Sequence, residues 1–224
     1  MGELHYDNRF LRFLNKTTDL VVLNFLFFMT SLPLVTIGAS LAALHSVNLR
    51  SLRYGDGYVA GQYFKAFRES FCQATLCWIG LVITGGLLLF DYRFWMALDY
   101  GFLSKFQIVV CLVIAIVLGI FAVWLFPVLA KMKGSLKEQA ANAMKMAIGY
   151  FFPHTVCVVG IAAFAGWAAY VNTDALLIMA VFGIALVSYL QSFFFYKVFA
   201  KHIDEEPIGE DDPIYGDRRN QKVM

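Results

Sequence analysis

Long runs without Asp, Glu, Lys or Arg dominate the hydrophobic pattern of this chain. There are five of them, at residues 20–47, 70–90, 106–130, 146–173 and 175–196. Because a helix needs about 20 mostly apolar residues to cross roughly 30 Å of hydrocarbon, each run is long enough to span a bilayer. A span must satisfy its backbone hydrogen bonds internally, so we expect helices. The pattern predicts an all-α, polytopic membrane protein with about five transmembrane helices.

A proline interrupts the first run. Pro33 lacks a backbone N–H and disfavours helix at the residue before it, and we predict a helix break at Ser31, Pro33 and Gly38. Two arrangements fit this break: a kinked span, or a re-entrant hairpin that keeps the N-terminus on the side where it began. We expect the kinked span, because residues 20–32 and 34–47 are each too short to cross alone at about 1.5 Å per residue.

Lysine and arginine are concentrated in residues 48–69, residues 131–145 and the C-terminus. The positive-inside tendency predicts that these segments lie in the cytoplasm and that residues 91–105 lie outside. Five crossings from a cytoplasmic C-terminus then leave the N-terminus outside. That result conflicts with the same tendency, because the N-terminal segment carries its own cations, Arg9, Arg12 and Lys16.

Residues 58–71 have the periodicity of an amphipathic helix. Phe64, Phe67 and Phe71 recur at i, i+3 and i+7, with charged residues on the other side. Such a pattern is typical of a short helix lying at the membrane surface. We expect this helix to be the principal partner contact, formed by Phe64, Phe67, Arg68 and Phe71.

A second short amphipathic helix is predicted at residues 135–145, also on the cytoplasmic side. Ser135 and Glu138 match the S-x-x-E capping box at its start. Its apolar side is expected to consist of Leu136, Ala140 and Ala143.

The end of the chain has a different composition from the rest. Residues 201–224 are rich in Asp, Glu, Pro and Gly, a composition that buries too little apolar surface to fold. We therefore expect a disordered acidic tail there, following a single helical transmembrane domain at residues 1–200.

Composition and charge argue against several function classes. With 60% apolar and 15% charged residues, the chain is more apolar than a soluble domain, and a net charge of +2 gives no reason to expect a nucleic-acid partner. The charge-free runs argue against an ion-coupled transporter. We find no catalytic motif, cofactor-binding motif or metal-ligand spacing, and we expect no enzyme. The four cysteines show no paired spacing: Cys72, Cys77, Cys111 and Cys157.

Several motifs give the chain a resemblance to a known family. They lie at residues 13–16 (FLNK), 31–40 (SLPLVTIGAS), 63–75 (YFKAFRESFCQAT), 126–131 (FPVLAK) and 193–199 (FFFYKVF). With them the chain resembles the YesL-like family of bacterial membrane proteins over roughly residues 8 to 203. The resemblance implies a multi-pass plasma-membrane protein of Gram-positive bacteria, encoded beside sugar-import and glycan-degradation systems, with no established catalytic residues.

Two hypotheses about function follow. The first is a non-catalytic accessory or regulatory subunit that packs against the permease of an ATP-driven oligosaccharide importer (an ABC transporter). The alternative is a small oligomeric transporter or channel for a neutral solute, with a polar lining formed by Asn24, Thr30, Ser31 and Gln191.

Overall fold

The computed structural model describes residues 9–54, 58–98, 100–132, 134–150, 154–171 and 179–202. These residues are almost entirely helical and contain no strand, which confirms the predicted all-α class. The α-helices are α1 (Arg9–Ser31), α2 (Ile37–Tyr54), α3 (Val59–Ala97), α4 (Phe102–Lys131), α5 (Leu136–Gly149), α6 (Val156–Val171) and α7 (Ile184–His202). A 3-10 turn at Leu34–Thr36 precedes α2, and a π-helical turn at Met179–Gly183 precedes α7. The predicted tail, except its first two residues, lies outside the described residues.

Within the described residues, three helices are long and apolar enough to cross a membrane: Val59–Ala97, Phe102–Lys131 and Val181–Lys201. They contain most of the second, third and fifth charge-free runs, and they support a membrane protein. The fourth run contains α6, whose 16 residues extend only about 24 Å. The first run contains two helices rather than one.

The first two helices form an antiparallel hairpin, so the expected kinked span is wrong. Near the open end of the hairpin, the Nζ atom of Lys16 in α1 donates a hydrogen bond to the hydroxyl of Ser51 in α2. Near the turn, Thr30 Oγ1 and Ser40 Oγ lie 2.9 Å apart. The chain therefore reverses direction between the end of α1 and the start of α2.

Local chemistry explains why the chain reverses here instead of bending. Pro33 is extended, with φ of −74° and ψ of 106°, and its carbonyl accepts a 2.8 Å bond from the amide of Thr36. This closes one tight turn. The reversal lets the two helices bury apolar side chains against each other and against α3, in a cluster that includes Leu23, Phe27 and Leu44.

The turn of this hairpin lies beside the first part of the charge-free run in α3. The indole Nε1 of Trp78 donates a 2.9 Å bond to the carbonyl of Leu34. Trp78 is eight residues beyond Ser70, where that run begins, or about 12 Å along the helix axis. Leu32 and Leu34 at the turn are 72% and 74% exposed. These contacts favour the re-entrant arrangement, in which the hairpin enters the hydrocarbon without crossing it.

The hairpin also corrects the predicted sidedness of the N-terminal segment. Because Lys16 contacts Ser51, the first part of α1 lies on the same side as the end of α2. The cations near the N-terminus therefore share a side with Arg50 and Arg53. A first run that does not cross the membrane removes the conflict in the charge pattern.

The predicted surface helix at residues 58–71 is not a separate element. It forms the first third of α3, a single helix of 39 residues that extends about 58 Å. Residues 62–79 contain no Gly or Pro, so nothing interrupts the backbone where the charged segment meets the apolar one. The segment is helical, as its periodicity predicted. The helix does not end near residue 71, however, but continues to Ala97.

The second predicted amphipathic helix is confirmed as α5. The Ser135 amide donates to Glu138 Oε2 at 2.9 Å, and the Glu138 amide donates to Ser135 Oγ at 3.4 Å, forming the predicted capping box. Bonding from the Ser135 backbone, and then from its hydroxyl, holds the pKa of Glu138 below its usual value. The buried residues of α5 are Gln139, Ala143, Met146 and Ala147, so Ala143 alone of the predicted apolar side is fully buried, while Leu136 and Ala140 are half-buried.

Gly38 provides a test of how closely α2 approaches α3. A Cβ atom at Gly38 would lie 2.5 Å from the carbonyl oxygen of Ala74 and 2.6 Å from Cβ of Trp78. We expect Gly38→Ala to destabilise the protein by about 1–3 kcal/mol, measured as a lower midpoint of thermal unfolding in detergent. Gly80→Ala is the control, since no atom lies within 4 Å of its added Cβ. Equal midpoints for the two variants would contradict the close approach.

The hairpin itself predicts a labelling pattern. In a background without the four native cysteines, cysteines at Asn15 and Arg53 should react with an impermeant maleimide from the same side of the membrane. A cysteine at Phe102, on the far side of one crossing by α3, should react only from the other side. If the first two positions are labelled from opposite sides of the membrane, the first run is a kinked span and not a hairpin.

Candidate functional site

The four residues predicted to contact a partner lie together on the first third of α3, and we call them the aromatic face: Phe64, Phe67, Arg68 and Phe71. Phe67 stacks against Tyr63 with ring centroids 6.3 Å apart, and it meets Phe71 edge-on at 5.4 Å. The charged Arg68 is exposed. The aromatic face therefore combines a ring cluster with a cation at the end of an apolar span.

Members of the aromatic face differ in what they contact. Phe67 packs against both hydrophobic clusters of the protein, so it belongs to the core. Phe64 and Phe71 are 52% and 41% exposed and remain available to another molecule. The outward members of the face are therefore Phe64, Arg68 and Phe71.

The helix α5 begins close to the aromatic face. Two residues beyond Phe71, the Gln73 side-chain amide donates a 3.2 Å bond to the carbonyl of Gly134, just before the N-cap of α5. On α5 itself Met144 and Ile148 are 39% and 72% exposed. The start of α5 therefore lies beside the end of the aromatic face.

A group of buried polar side chains joins α2 to α7. Asn48 Nδ2 donates to Ser188 Oγ at 3.0 Å, and His45 Nδ1 lies 3.2 Å from Ser188 Oγ and 3.3 Å from Ser192 Oγ. All four side chains are at most 6% exposed. Because each polar group is removed from both water and lipid, these bonds fix the rotation and register of α7 against α2.

Sequence reasoning missed His45 and Asn48, which lie at and just beyond the end of the first charge-free run. A signal for them was present. His45 and Asn48 are spaced i, i+3 and therefore share a face of α2, while Ser188 and Ser192 are spaced i, i+4 and share a face of α7. Polar residues with this spacing in two apolar helices favour a pairing between them, but the sequence does not say which helices meet.

The four residues proposed to line a solute pathway do not converge. Asn24 Oδ1 accepts a bond from the amide of Ala185 at 3.2 Å. Thr30 Oγ1 lies 2.7 Å from the hydroxyl of Tyr63, and Gln191 Nε2 donates to the carbonyl of Val158 at 3.2 Å. These three bonds join three different pairs of helices. Ser31, at the end of α1, has a buried hydroxyl with no hydrogen-bond partner.

Asp91 of α3 and Cys111 of α4 pair two ionisable side chains. The thiol of Cys111 donates to Asp91 Oδ2 at 2.8 Å. Within the described ranges, no three or more His, Cys, Asp or Glu side chains are grouped so that they could hold a metal ion. All four cysteines are free.

Comparison with known proteins gives one result. Residues 20–92 match the family described as "Protein of unknown function, DUF624". Neither the curated proteins nor the solved structures contain a match. The matched segment contains the second half of α1, all of α2 and α3 through Tyr92, including the turn of the hairpin and the aromatic face. Residues 20–92 are thus similar to the DUF624 family, and over this segment the resemblance to the YesL-like family, itself a DUF624 family, is confirmed.

Proposed function

We propose that this protein is a non-catalytic accessory or regulatory subunit of an ATP-driven oligosaccharide importer and that it contacts the permease through the aromatic face. The observation that carries the proposal is the exposure of Phe64 and Phe71 beside Arg68, next to the start of α5. The sugar-importer context comes from the YesL-like resemblance.

The position of the aromatic face on α3 supports a protein partner. Lys65, Arg68 and Glu69 are costly to bury in hydrocarbon, so this part of α3 lies at or beyond the membrane boundary. Aromatic and arginine side chains are enriched in the energetically important centres of protein interfaces. Burying one Phe side chain contributes roughly 1.5–3 kcal/mol, so Phe64 and Phe71 together could make a substantial share of a stable contact.

The charge pattern supports a cytoplasmic location for this contact. With the re-entrant hairpin, the cations near the N-terminus lie on the same side as those of residues 48–69. The positive-inside tendency then assigns both groups to the cytoplasm of a bacterial plasma membrane, and the cations near the C-terminus suggest the same side. An importer's ATPase subunits work on that side, so a regulatory contact there is well placed to reach either the permease or its coupling region.

The double variant Phe64→Ser/Phe71→Ser tests this proposal. We expect it to insert and accumulate normally but to lose the importer permease in a pulldown from mild detergent, analysed by mass spectrometry. The physical reason is that the substitution removes exposed aromatic area from two rings that belong to neither hydrophobic cluster. Phe102→Ser is the matched control, because Phe102 is 84% exposed at the opposite end of the first crossing.

The variant Phe67→Ser provides a reference for destabilisation. It shows whether the double variant loses the permease because the contact is gone or because the protein is less stable. Phe67 packs into the core, so we expect this variant to lower the thermal unfolding midpoint by an amount corresponding to about 3–5 kcal/mol. If the double variant is destabilised as much as Phe67→Ser, the outward rings belong to the fold. If the double variant is stable and retains the permease, or if the wild type captures no permease, the proposed contact is wrong.

A further inference from the structure

The pair formed by α3 and α4 contains a groove that lies apart from the aromatic face. Its volume is about 520 Å³, within the range of roughly 300–1,000 Å³ typical of small-molecule sites. The walls are apolar and include small residues where the two helices face each other. Residues that line it include Trp78, Leu81 and Gly85 of α3 and Ala115, Gly119 and Ala122 of α4.

The groove opens toward lipid along its length. Val82, Leu89 and Leu112 on its walls are 53%, 59% and 50% exposed. From Trp78 to Tyr92 it extends about 21 Å along α3, compared with about 15 Å for half of the bilayer's hydrocarbon core. A hydrocarbon chain lying parallel to the helices therefore fits its shape and polarity.

The carboxylate of Asp91 lies beside one end of the groove, in contact with the lining residue Cys111. Cys111 lines the groove and donates to Asp91 Oδ2 at 2.8 Å, and Tyr92 lines it at the same end. Asp91 also accepts bonds from Trp95 Nε1 at 3.0 Å and Gln107 Nε2 at 3.4 Å. All three donors are neutral.

The carboxylate lacks a charge partner in the part of the chain that the structure describes. No Lys or Arg there forms an ion pair with Asp91. A carboxylate has about four acceptor positions, so a further donor is accommodated beside the three present. An ammonium group supplies both the donor and the opposite charge.

We propose that the groove binds one acyl chain of a membrane lipid whose headgroup ammonium pairs with Asp91. A transmembrane helix is a poorer occupant, because an apolar helix packed along the whole groove would cover Asp91 without neutralising it, at a substantial desolvation cost. An amine lipid satisfies the apolar walls and the carboxylate together. This inference does not depend on the proposed role in sugar import.

The headgroup part of the proposal is tested by native mass spectrometry of the full-length protein, taken from nanodiscs with equal amounts of phosphatidylethanolamine and phosphatidylglycerol. We expect the wild type to retain phosphatidylethanolamine about two- to fivefold over phosphatidylglycerol, the size of effect typical of an exposed ion pair. Asp91→Asn should abolish that preference. Glu69→Gln, which removes an exposed carboxylate of α3 away from the groove, should keep it.

The acyl-chain part is tested by two adjacent glycines of α3. Gly85 lines the groove and Gly86 does not, and an added Cβ meets no atom within 4 Å at either position. We therefore expect both Gly85→Leu and Gly86→Leu to fold, with only Gly85→Leu losing the bound lipid of either headgroup.

Three results would overturn the proposal. Equal lipid retention by the two glycine variants would exclude the groove as the site. A phosphatidylethanolamine preference that persists in Asp91→Asn would exclude the carboxylate as its cause. The wild type could also be released from the nanodiscs without lipid, as an oligomer. If the Gly85→Leu substitution dissociates that oligomer, the groove holds a helix of a second copy of the protein instead of a lipid.

Discussion

The reversal of the chain between α1 and α2 sets the position of most other elements. It depends on contact with α3 as much as on the turn itself. Gly38 lets the backbone of α2 approach Ala74 closely, and Trp78 bonds the carbonyl of Leu34 at the turn. With the turn held against α3, the apolar faces of α1 and α2 bury against each other and against the first third of α3. The same contact decides that the start of α1 lies beside the end of α2.

Buried polar side chains then position α7 across this assembly. Successive turns of α7 contact α1 through Ala185, α2 through Ser188 and Ser192, and α4 through Phe195, whose ring lies 5.0 Å from that of Trp124. Between apolar helices in lipid, hydrophobic contacts discriminate weakly among alternative registers. A hydroxyl or amide removed from water discriminates strongly, because a wrong register leaves it without a hydrogen bond. The polar residues of these helices are therefore better explained as determinants of packing than as a lining for solute.

The two ends of α3 carry surfaces suited to different molecules. Its first third combines exposed aromatic rings with charges that hydrocarbon does not tolerate, so its surroundings are water, headgroups or another protein. Its last part pairs with α4 in a groove with apolar walls and one carboxylate at the end. The length of α3 separates the two surfaces. A ligand in the groove would therefore reach the aromatic face only through a shift of α3 itself or of the hairpin packed against it.

The amino-acid sequence by itself determined which segments are helical and which can lie in lipid. Hydrocarbon length and internal hydrogen bonding leave few alternatives for charge-free runs of this size, and the Ser135–Glu138 capping box is a local interaction of four residues. The periodicity that groups Phe64, Phe67 and Phe71 was equally local. Only the tertiary structure decided that Pro33 lies in the turn of a hairpin, that Phe67 faces inward while Phe64 and Phe71 face outward, and that His45 meets Ser188. Each of these outcomes depends on which helices become neighbours, and that choice rests on contacts between residues distant in sequence, which local periodicity does not encode.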